Sequence, residues 1–355
     1  MVSLTLIDQP KHHSDFKFGF EAKELPIAEP TASQTLVKVQ AAAFNHRDLW
    51  ILRNMYPGIV MGSTLGSDGV GIVVKNGSQS SSFEVGQRVL INPGVNWESD
   101  ERGPEGDFKI LGLLPAIGTF SESLVTESRE LVPCPEHLST AEAAALPLAG
   151  LTAYRALFTK GKVKKGDYVL ITGIGGGVAL FAMQFAVAVG AHVYVSSGSQ
   201  EKIEQAKALG AEGGINYKDP KCIAELKKML NGNQISAIID GAGGPLYTQY
   251  PKVMRTGGII VNYGQTAGVE GVSFTMGHVI KNIDLCGSTM GSRREFQEMV
   301  AFVDKHKIKP VVSRVWQGLT NENVAEAIEM MKNHQQFGKV VIEINGSASP
   351  QLHKL

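Results

Sequence analysis

Apolar and polar residues alternate in short runs through the first third of the chain. TLVKVQAAAF (35–44) alternates in this way, GVGIVVKNG (69–77) ends in an Asn-Gly turn, and VGQRVLINPG (85–94) has the same character. A period of two is typical of strands buried on one face, and glycine and proline are dense between these runs. The pattern predicts a β-rich region up to about residue 130.

The pattern changes near residue 140, where Ser-Thr and Glu142 open a long run with helix-like spacing of apolar residues (139–157). Strand-like and helix-like runs then alternate. The strand-like runs are DYVLITG, AHVYVSS, GGINY, ISAIIDG, GGIIVNYG and IDLCGST, and the helix-like runs between them are VALFAMQFAVAVG, QEKIEQAKALGA and CIAELKKML. This alternation predicts right-handed crossovers and a parallel sheet covered on both faces.

A mixed pattern returns after residue 290, with two further helices and two strands, REFQEMVAFVDKH, VVSRVW, NENVAEAIEMMKN and KVVIEI. The predicted fold class is therefore α/β, with a β-rich part and a doubly wound parallel sheet. A chain of 355 residues is long enough for two domains of about 150 residues each.

The most informative motif is ITGIGGGVA (171–179), in which glycines crowd the turn between a strand and a helix. A dinucleotide needs this order, because the pyrophosphate approaches backbone amides at the N-terminus of the helix. The motif predicts cofactor contacts at Gly175, Gly176, Gly177 and Val178, with Ala179 in the last glycine position. A tight turn that binds nothing is the alternative.

The end of the next strand indicates which nicotinamide cofactor is bound. NAD sites carry an acidic residue there for the ribose 2′-hydroxyl. Here the sequence is SSGSQEK (196–202), so Ser197 ends the strand, Glu201 lies within the helix, and Lys202 offers a positive charge to a 2′-phosphate. We therefore predict NADPH rather than NADH, although Lys202 is open to an alternative interpretation as a solvated surface residue.

Composition argues against several other classes of protein. Lys plus Arg and Asp plus Glu both number 34, so no basic excess favours a nucleic-acid partner. Three widely spaced cysteines fit a reducing, cytoplasmic location. The N-terminus has no signal-peptide pattern, and the longest apolar run, 178–189, is shorter than a membrane span of about 20 residues. A small-molecule substrate is expected instead.

Several segments together resemble the medium-chain dehydrogenase/reductase superfamily, the group of alcohol dehydrogenases and quinone oxidoreductases. They are AAAFNHRDLW, LGSDGVGIVV, VGQRVLI, AAALPLAGLTAYRAL, GGGVALFAMQ, GSQEKIEQAKALGA and FGKVVIEI, and they cover nearly the whole chain. The resemblance implies a GroES-like catalytic domain at 1–149 and 290–355, with a Rossmann NADP-binding domain at 150–289. It also implies a homodimer and an active cleft at the domain junction.

Zinc ligands of the superfamily do not recur in this sequence. Where zinc alcohol dehydrogenases have Cys, His-Glu, and Cys or Asp, this chain has Asn45, Ser67-Asp68 and Leu148-Ala149. The segment that matches the four-cysteine structural lobe, GVNWESDERGPEGDF, contains no cysteine. Catalytic zinc needs three converging ligands, so we expect no metal site.

Zinc-free members of the superfamily resemble quinone oxidoreductases and enoyl reductases, whose conjugated substrates accept hydride without a Lewis acid. We therefore predict an NADPH-dependent reductase of quinones or α,β-unsaturated carbonyls. Two alternatives stay open: an alcohol dehydrogenase acting on simple alcohols or aldehydes, and a non-catalytic NADPH-binding sensor or structural protein.

The resemblance also implies site residues. Asn45 and Asp48 match positions beside the nicotinamide and its ribose, although Asp48 is equally explained as a helix cap. Tyr56, in the loop that follows, is expected to orient or protonate substrate, with simple packing as the alternative. These three are the predicted catalytic residues.

Further residues complete the predicted cofactor site. Lys339 matches a position near the nicotinamide, Tyr217 is expected on the adenosine side, and Gly264 follows a predicted strand of the parallel sheet. Arg293 and Arg294 are candidates to reach a phosphate.

Overall fold

The computed structural model describes residues 1–9, 16–79, 83–112, 117–266 and 271–344. It divides into two compact units. The outer unit comprises Met1–Leu148 and Ser292–Leu355, and the inserted unit comprises Ala149–Gly291. The predicted α/β class is confirmed.

The first part of the outer unit is mostly strands. Its strands are β1 Val2–Ile7, β2 Gly19–Glu24, β3 Gln34–Ala43, β4 Asp68–Asn76, β5 Arg88–Ile91, β6 Gly94–Val95, β7 Lys109–Ile110, β8 Ser123–Glu127 and β9 Leu131–Pro133, and its helices are α1 His46–Leu52 and α2 Thr140–Ala145.

Strands and helices alternate through most of the inserted unit, as predicted, and a short helix between its last two strands was not predicted. After α3 (Pro147–Tyr154) come β10 Tyr168–Ile171, α4 Gly177–Ala188, β11 His192–Ser197, α5 Gln200–Ala208, β12 Gly213–Asn216, α6 Cys222–Met229, β13 Ile235–Asp240, β14 Met254–Asn262, α7 Met276–Ile280 and β15 Asp284–Gly287. The chain then returns to the outer unit with α8 Arg293–His306, β16 Val312–Gln317, α9 Asn321–Lys332 and β17 Lys339–Glu343.

The largest sheet of the outer unit joins both ends of the chain. Its order is β16-β17-β3-β4-β5-β9, and β8 also pairs with β3. Val341 of β17 lies opposite Ala43 of β3, and Ala43 lies opposite Asp68 of β4. Because both strands run antiparallel to β3, the start of β17 and the start of β4 lie next to the end of β3.

The sheet of the inserted unit has the order β12-β11-β10-β13-β14-β15, and all its strands are parallel. The strand order reverses between β10 and β13, which is the position where doubly wound sheets bind ligands at their carboxyl ends. Leu170, Ile238 and Ile260, on three of the four inner strands, have 0% exposure. Such burial explains the nearly continuous apolar runs of these strands.

The long helix predicted over 139–157 is broken. α2 ends at Ala145, α3 begins at Pro147, and a π-helical turn follows at Arg155–Lys160. Proline has no N–H for a hydrogen bond to the preceding turn, but it fits the first position of a new helix. The start was predicted correctly, because Ser139 caps α2 and Glu142 completes the capping box.

Among the helices of the described residues, none combines the length and the apolar character that crossing a bilayer requires.

Candidate active site

The glycine turn joins β10 to α4. Gly173 and Gly175 have φ angles of +67° and +125°, which glycine adopts readily and other residues rarely do. Gly176 is the N-cap of the 12-residue helix α4, and Gly177 is its first residue, followed by the half-buried Val178. Because Gly176 is exposed and has no side chain, the first amides of α4 remain accessible to an anion.

Lys202 extends from α5 back to the glycine turn. A Cβ atom placed on Gly175 would lie 2.9 Å from Cδ and 3.4 Å from Nζ of Lys202. Burial lowers the pKa of Lys202, and the nearby carboxylate of Glu201 acts in the opposite direction. The ammonium group is therefore held beside the turn where a cofactor phosphate is expected.

The end of β11 brings two predicted residues together with a third that was not predicted. Ser197 is buried, and its Oγ accepts a hydrogen bond from the Ser199 backbone N–H at 3.1 Å. A Cβ atom on Gly198 would lie 2.7 Å from the hydroxyl of Tyr217 and 2.9 Å from Cε of Lys218. Tyr217 and Lys218 thus occupy the space beside Gly198, next to the strand end.

Gly264 lies beyond the carboxyl end of β14. Its carbonyl oxygen accepts a hydrogen bond from Nδ2 of Asn262 at 2.9 Å. A Cβ atom on Gly264 would lie 3.2 Å from the carbonyl oxygen of Gly241, in the loop after β13. The two loops are therefore in close contact at the same edge of the sheet as the glycine turn.

Asn45 and Asp48 form the buried start of α1. The backbone N–H of Asn45 donates to Oδ2 of Asp48 at 2.8 Å. Asp48 therefore caps the helix, which was the alternative to a role beside the cofactor. Asn45 is 7% exposed and Asp48 4% exposed. Burial raises the pKa of Asp48, and the Arg47 guanidinium partly opposes this effect.

Lys339, Asn45 and Asp68 form a buried group in the outer unit, here called the Lys339 cluster. Nζ of Lys339 donates hydrogen bonds to Phe44 O at 2.7 Å, Asn45 Oδ1 at 2.6 Å and Asp68 Oδ2 at 2.7 Å. Nδ2 of Asn45 donates to the same Asp68 oxygen at 2.8 Å, and the Leu148 N–H donates to the other. The ammonium therefore donates its three N–H groups within the outer unit.

The donors of the Lys339 cluster do not fit a zinc ion. Asp68 is the one carboxylate at the three positions that match zinc ligands, and both of its oxygens accept N–H groups. The positive charge of Lys339 lies 2.7 Å from this carboxylate. Ser67 offers a hydroxyl that is within 3.4 Å of Asn45 Nδ2. Within the described residues, no group of three or more His, Cys, Asp or Glu side chains is arranged to hold a metal.

Tyr56 packs against the hydrophobic core of the outer unit and keeps partial exposure. The guanidinium of Arg47 lies 5.2 Å from the centroid of its ring, a cation–π distance. The contact fits the packing interpretation, and the partial exposure leaves room for contact with a substrate.

Arg293 and Arg294 both have acidic partners in the outer unit. Arg293 forms ion pairs with Glu98 and, at 3.2 Å, with the buried Glu130. Arg294 pairs with Glu101 at 3.4 Å. These carboxylates occupy the guanidinium groups that were candidates for a phosphate.

Comparison with known proteins identifies two family models in the chain. The model of the alcohol dehydrogenase GroES-like domain matches residues 31–136, and that of the zinc-binding dehydrogenase matches residues 177–305. The zinc-type alcohol dehydrogenase-like protein YogA of Leptosphaeria maculans is 41% identical over 89% of this chain and 92% of its own. The chain belongs to the medium-chain dehydrogenase/reductase superfamily.

Other members of the superfamily extend the comparison. An acryloyl-coenzyme A reductase of Sulfurisphaera tokodaii is 28% identical, over 92% of this chain and 97% of its own. The crystal structure of an NAD-dependent alcohol dehydrogenase superposes with a TM-score of 0.87 at 32% identity, covering 97% of this chain and all (100%) of that one. A crotonyl-CoA carboxylase/reductase in complex with NADP shares the fold with a TM-score of 0.81 at 23% identity, covering 98% and 95% of the two chains. The predicted combination of a GroES-like and a Rossmann domain is confirmed.

The sequence alone did not indicate Lys218, which lies beside the end of β11, or the ion pair that Asp68 forms with Lys339. Lys218 directly follows the predicted Tyr217, and this adjacency was the available signal for a cation beside Gly198. Asp68 was considered only as a metal ligand. No local pattern indicated that its partner is Lys339, which lies 271 positions away.

Proposed function

We propose that this chain is an NADPH-dependent oxidoreductase that reduces quinones or α,β-unsaturated carbonyl compounds without zinc. The observation that carries the proposal is the saturation of Asp68 by hydrogen-bond donors, including the Lys339 ammonium at 2.7 Å. A dication placed at these oxygens would displace N–H donors and meet the charge of Lys339. The donor set therefore favours substrates that need no Lewis acid.

The inserted unit supplies the residues that we assign to the cofactor. When bound, NADPH supplies the hydride. The exposed glycine turn and the start of α4 hold phosphate through backbone N–H groups, and Lys202 adds a positive charge beside Gly175. On this proposal, Ala149–Gly291 is the NADP-binding domain.

Preference for NADPH is supported by the end of β11. Ser197, Gly198 and Ser199 carry no negative charge there, while Tyr217 and Lys218 lie against Gly198. Serine hydroxyls and a lysine suit a 2′-phosphate, whereas an acidic residue would repel it.

In the outer unit we assign structural roles to the buried polar residues and a substrate-contacting role to the partly exposed one. The Lys339 cluster and Asp48 fix the start of α1 through buried hydrogen bonds. Tyr56 is the partly exposed member of the predicted catalytic residues, and we assign it the role of orienting or protonating the substrate. Lys339 holds Asn45 in place on this assignment rather than contacting the cofactor.

An alcohol dehydrogenase acting on simple alcohols or aldehydes is the second candidate. The structural neighbour at 32% identity, an NAD-dependent alcohol dehydrogenase, favours it. The acryloyl-coenzyme A reductase at 28% identity is named for a conjugated substrate and favours the first proposal. Because the names of relatives point both ways, the donor set around Asp68 decides our preference.

A matched pair of substrates tests the choice. NADPH oxidation is followed with methyl vinyl ketone and with methyl ethyl ketone, which differ only in the conjugated double bond, and a quinone and ethanol with NADP⁺ complete the set. We expect turnover of the enone or the quinone and none of ethanol. Turnover confined to ethanol and the saturated ketone would favour the alcohol dehydrogenase. NADPH binding without turnover of any substrate would favour the non-catalytic alternative.

We also propose that the chain forms a homodimer through the outer edge of the inserted sheet. β15 is the edge strand, and Leu285 on it is 37% exposed. Val279 and Ile280 of the preceding helix are 50% and 73% exposed. Exposed apolar side chains beside an edge strand suit pairing with a second copy across a two-fold axis. Light scattering that gives the mass of a single chain at micromolar concentration would contradict this proposal.

A further inference from the structure

We infer that Asp240 is a positioning residue for the cofactor site, whose carboxylate fixes the glycine turn and the loops after β13 and β14 in one arrangement. The inference rests on the proposed binding of NADPH and extends it to a residue that need not contact the cofactor.

Asp240 is the last residue of β13, and its side chain has 0% exposure. β13 lies between β10 and β14 in the sheet, so the carboxyl ends of all three strands surround this residue. The reversal of strand order lies between β10 and β13. A carboxylate at this point can therefore bind groups from both sides of the expected ligand crevice.

On the β10 side, the carboxylate holds Thr172, which directly precedes Gly173 of the glycine turn. Oγ1 of Thr172 donates to Oδ1 of Asp240 at 2.5 Å. The same hydroxyl accepts a hydrogen bond from the backbone N–H of Gly241 at 3.2 Å. The Thr172 hydroxyl thus links the start of the glycine turn to the loop after β13.

On the β14 side, the carboxylate holds Asn262, the last residue of that strand. Nδ2 of Asn262 donates to Oδ2 of Asp240 at 2.8 Å and also to the carbonyl oxygen of Gly264 at 2.9 Å. The hydroxyl of Tyr247 donates to the same carboxylate oxygen at 2.7 Å. Gly264 is thereby connected to Asp240 through a single side chain.

The loop after β13 folds around the carboxylate as well. The backbone N–H groups of Ala242 and Gly243 donate to it at 3.2 and 2.9 Å. Asp240 therefore accepts five hydrogen bonds from the ends of three adjacent strands and the loops that follow them. A buried acceptor with this many donors fixes their relative positions, because moving any one of them leaves a buried polar group unsatisfied.

Thr172 offers the sharpest test, because two substitutions distinguish the effect of losing its hydroxyl from the effect of changing the shape of its side chain. Thr172→Val removes the hydroxyl and keeps the branched side chain, whereas Thr172→Ser keeps the hydroxyl. The affinity of each protein is measured for NADPH and, by competition, for adenosine 2′-monophosphate. The second ligand lacks the pyrophosphate, so on the proposed function it reports on the end of β11 and not on the glycine turn.

We expect Thr172→Val to weaken NADPH binding about tenfold or more, and to leave the affinity for adenosine 2′-monophosphate within about twofold of wild type. Thr172→Ser is expected to bind both ligands within about threefold of wild type. Asp240→Asn places an N–H group among hydrogen-bond donors. We expect it to lose more NADPH affinity than Thr172→Val and to keep its affinity for adenosine 2′-monophosphate. If that variant fails to fold, the Thr172 pair still decides.

Three results would overturn the inference: NADPH affinity of Thr172→Val close to that of wild type, equal losses for both ligands, or Thr172→Ser behaving like Thr172→Val. Equal losses would indicate general damage to the inserted unit rather than positioning of the turn. Failure of the proposed function looks different, because wild-type protein itself would then show no NADPH binding.

Discussion

Lys339 donates a hydrogen bond from Nζ to Oδ2 of Asp68 at 2.7 Å, and the two side chains are 4% and 0% exposed. They are the first residues of β17 and β4, and both of these strands pair with β3. Asn45 bonds to each of them, so the ion pair also fixes the start of α1. Asn45 and Asp68 are at positions that the resemblance matches to zinc ligands, whereas Lys339 is not.

Lys339→Met tests the stabilising role of the pair. The substitution leaves the Asp68 carboxylate buried without its cation, and breaking a buried pair on one side typically costs about 3–5 kcal/mol. We expect the free energy of unfolding in urea to fall by an amount in this range. Asp68→Asn combined with Lys339→Met removes both charges and should recover part of the loss. A single variant as stable as wild type would contradict a structural role for the pair.

Cofactor preference gives a second prediction. We expect NADPH to bind at least about tenfold more tightly than NADH, because residues 197–199 at the end of β11 include no acid and Lys218 lies against Gly198. Ser197→Asp should weaken NADPH through repulsion of the 2′-phosphate and change NADH little. Lys218→Ala should also weaken NADPH selectively, while Lys228→Ala, an exposed charge change on α6, should not.

Nicotinamide fluorescence titrations with both cofactors measure these affinities. The ratio of the two affinities separates recognition of the 2′-phosphate from general damage to the fold. Equal affinities of the wild-type protein for NADPH and NADH would refute the predicted preference.

The glycine turn provides a third prediction. Gly177→Val places a branched side chain at the first residue of α4, where amides are expected to face phosphate. We expect NADPH affinity to fall by about 1.4 kcal/mol or more, which is tenfold. The increase in Tm that NADPH provides should fall accordingly.

Gly232→Val is the control for backbone strain in the same unit. Gly232 has a φ of +89°, and no atom lies within 4 Å of the position that a Cβ atom would take, so strain alone should lower the Tm of this variant. The variant should keep the full NADPH-induced shift. If Gly177→Val also kept the full shift, the glycines would serve the turn and not the cofactor.

Metal content is the fourth prediction. Because both oxygens of Asp68 already accept N–H groups, we expect purified protein to hold less than stoichiometric zinc. Incubation with a chelator should leave activity unchanged, whereas a zinc alcohol dehydrogenase treated in parallel should lose it. One tightly held zinc per chain, with activity lost on chelation, would overturn the prediction.

The fifth prediction concerns acid stability and His46. Burial, His334 and Arg53 lower the pKa of His46 from 6.5 to about 4. The unfolded chain therefore binds a proton more readily between these values, and stability is lost as pH falls from about 6.5 to about 4. The free energy of unfolding of His46→Gln should decline less over this interval than that of wild type. Urea titrations at several pH values compare the two slopes, and identical slopes would exclude His46 as the cause.

Local patterns predicted the fold class and most of the elements, but they missed the short helix α7 and the contacts that organise the site. The alternation of strands and helices predicted the parallel sheet, and the glycine motif lies at the start of α4 as expected. The break at Pro147 was missed because the apolar spacing continues across it. Proline lacks the N–H that would continue the helix, and the Leu148 N–H donates to Asp68 instead.

Long-range contacts were invisible for a different reason. Thr172, Asp240 and Asn262 are each ordinary polar residues at or just beyond a strand end when the sequence is inspected alone. Their association depends on the strand order β10-β13-β14, which no single segment encodes. The same holds for Lys339 and Asp68, whose positions were both noted but whose pairing required the register of three strands.

The pairing of β17 with β3 has a consequence for synthesis of the chain. Lys339 Nζ donates to the carbonyl oxygen of Phe44, 295 positions earlier. The outer sheet therefore stays incomplete until the chain from Phe44 to Lys339 has left the ribosome. The inserted unit is continuous in sequence and can complete its own sheet once β15 has emerged. Until β17 arrives, the edge of β3 that it will cover is open to other strands. A nascent chain that stalls before Lys339 would thus expose both a strand edge and the uncompensated carboxylate of Asp68.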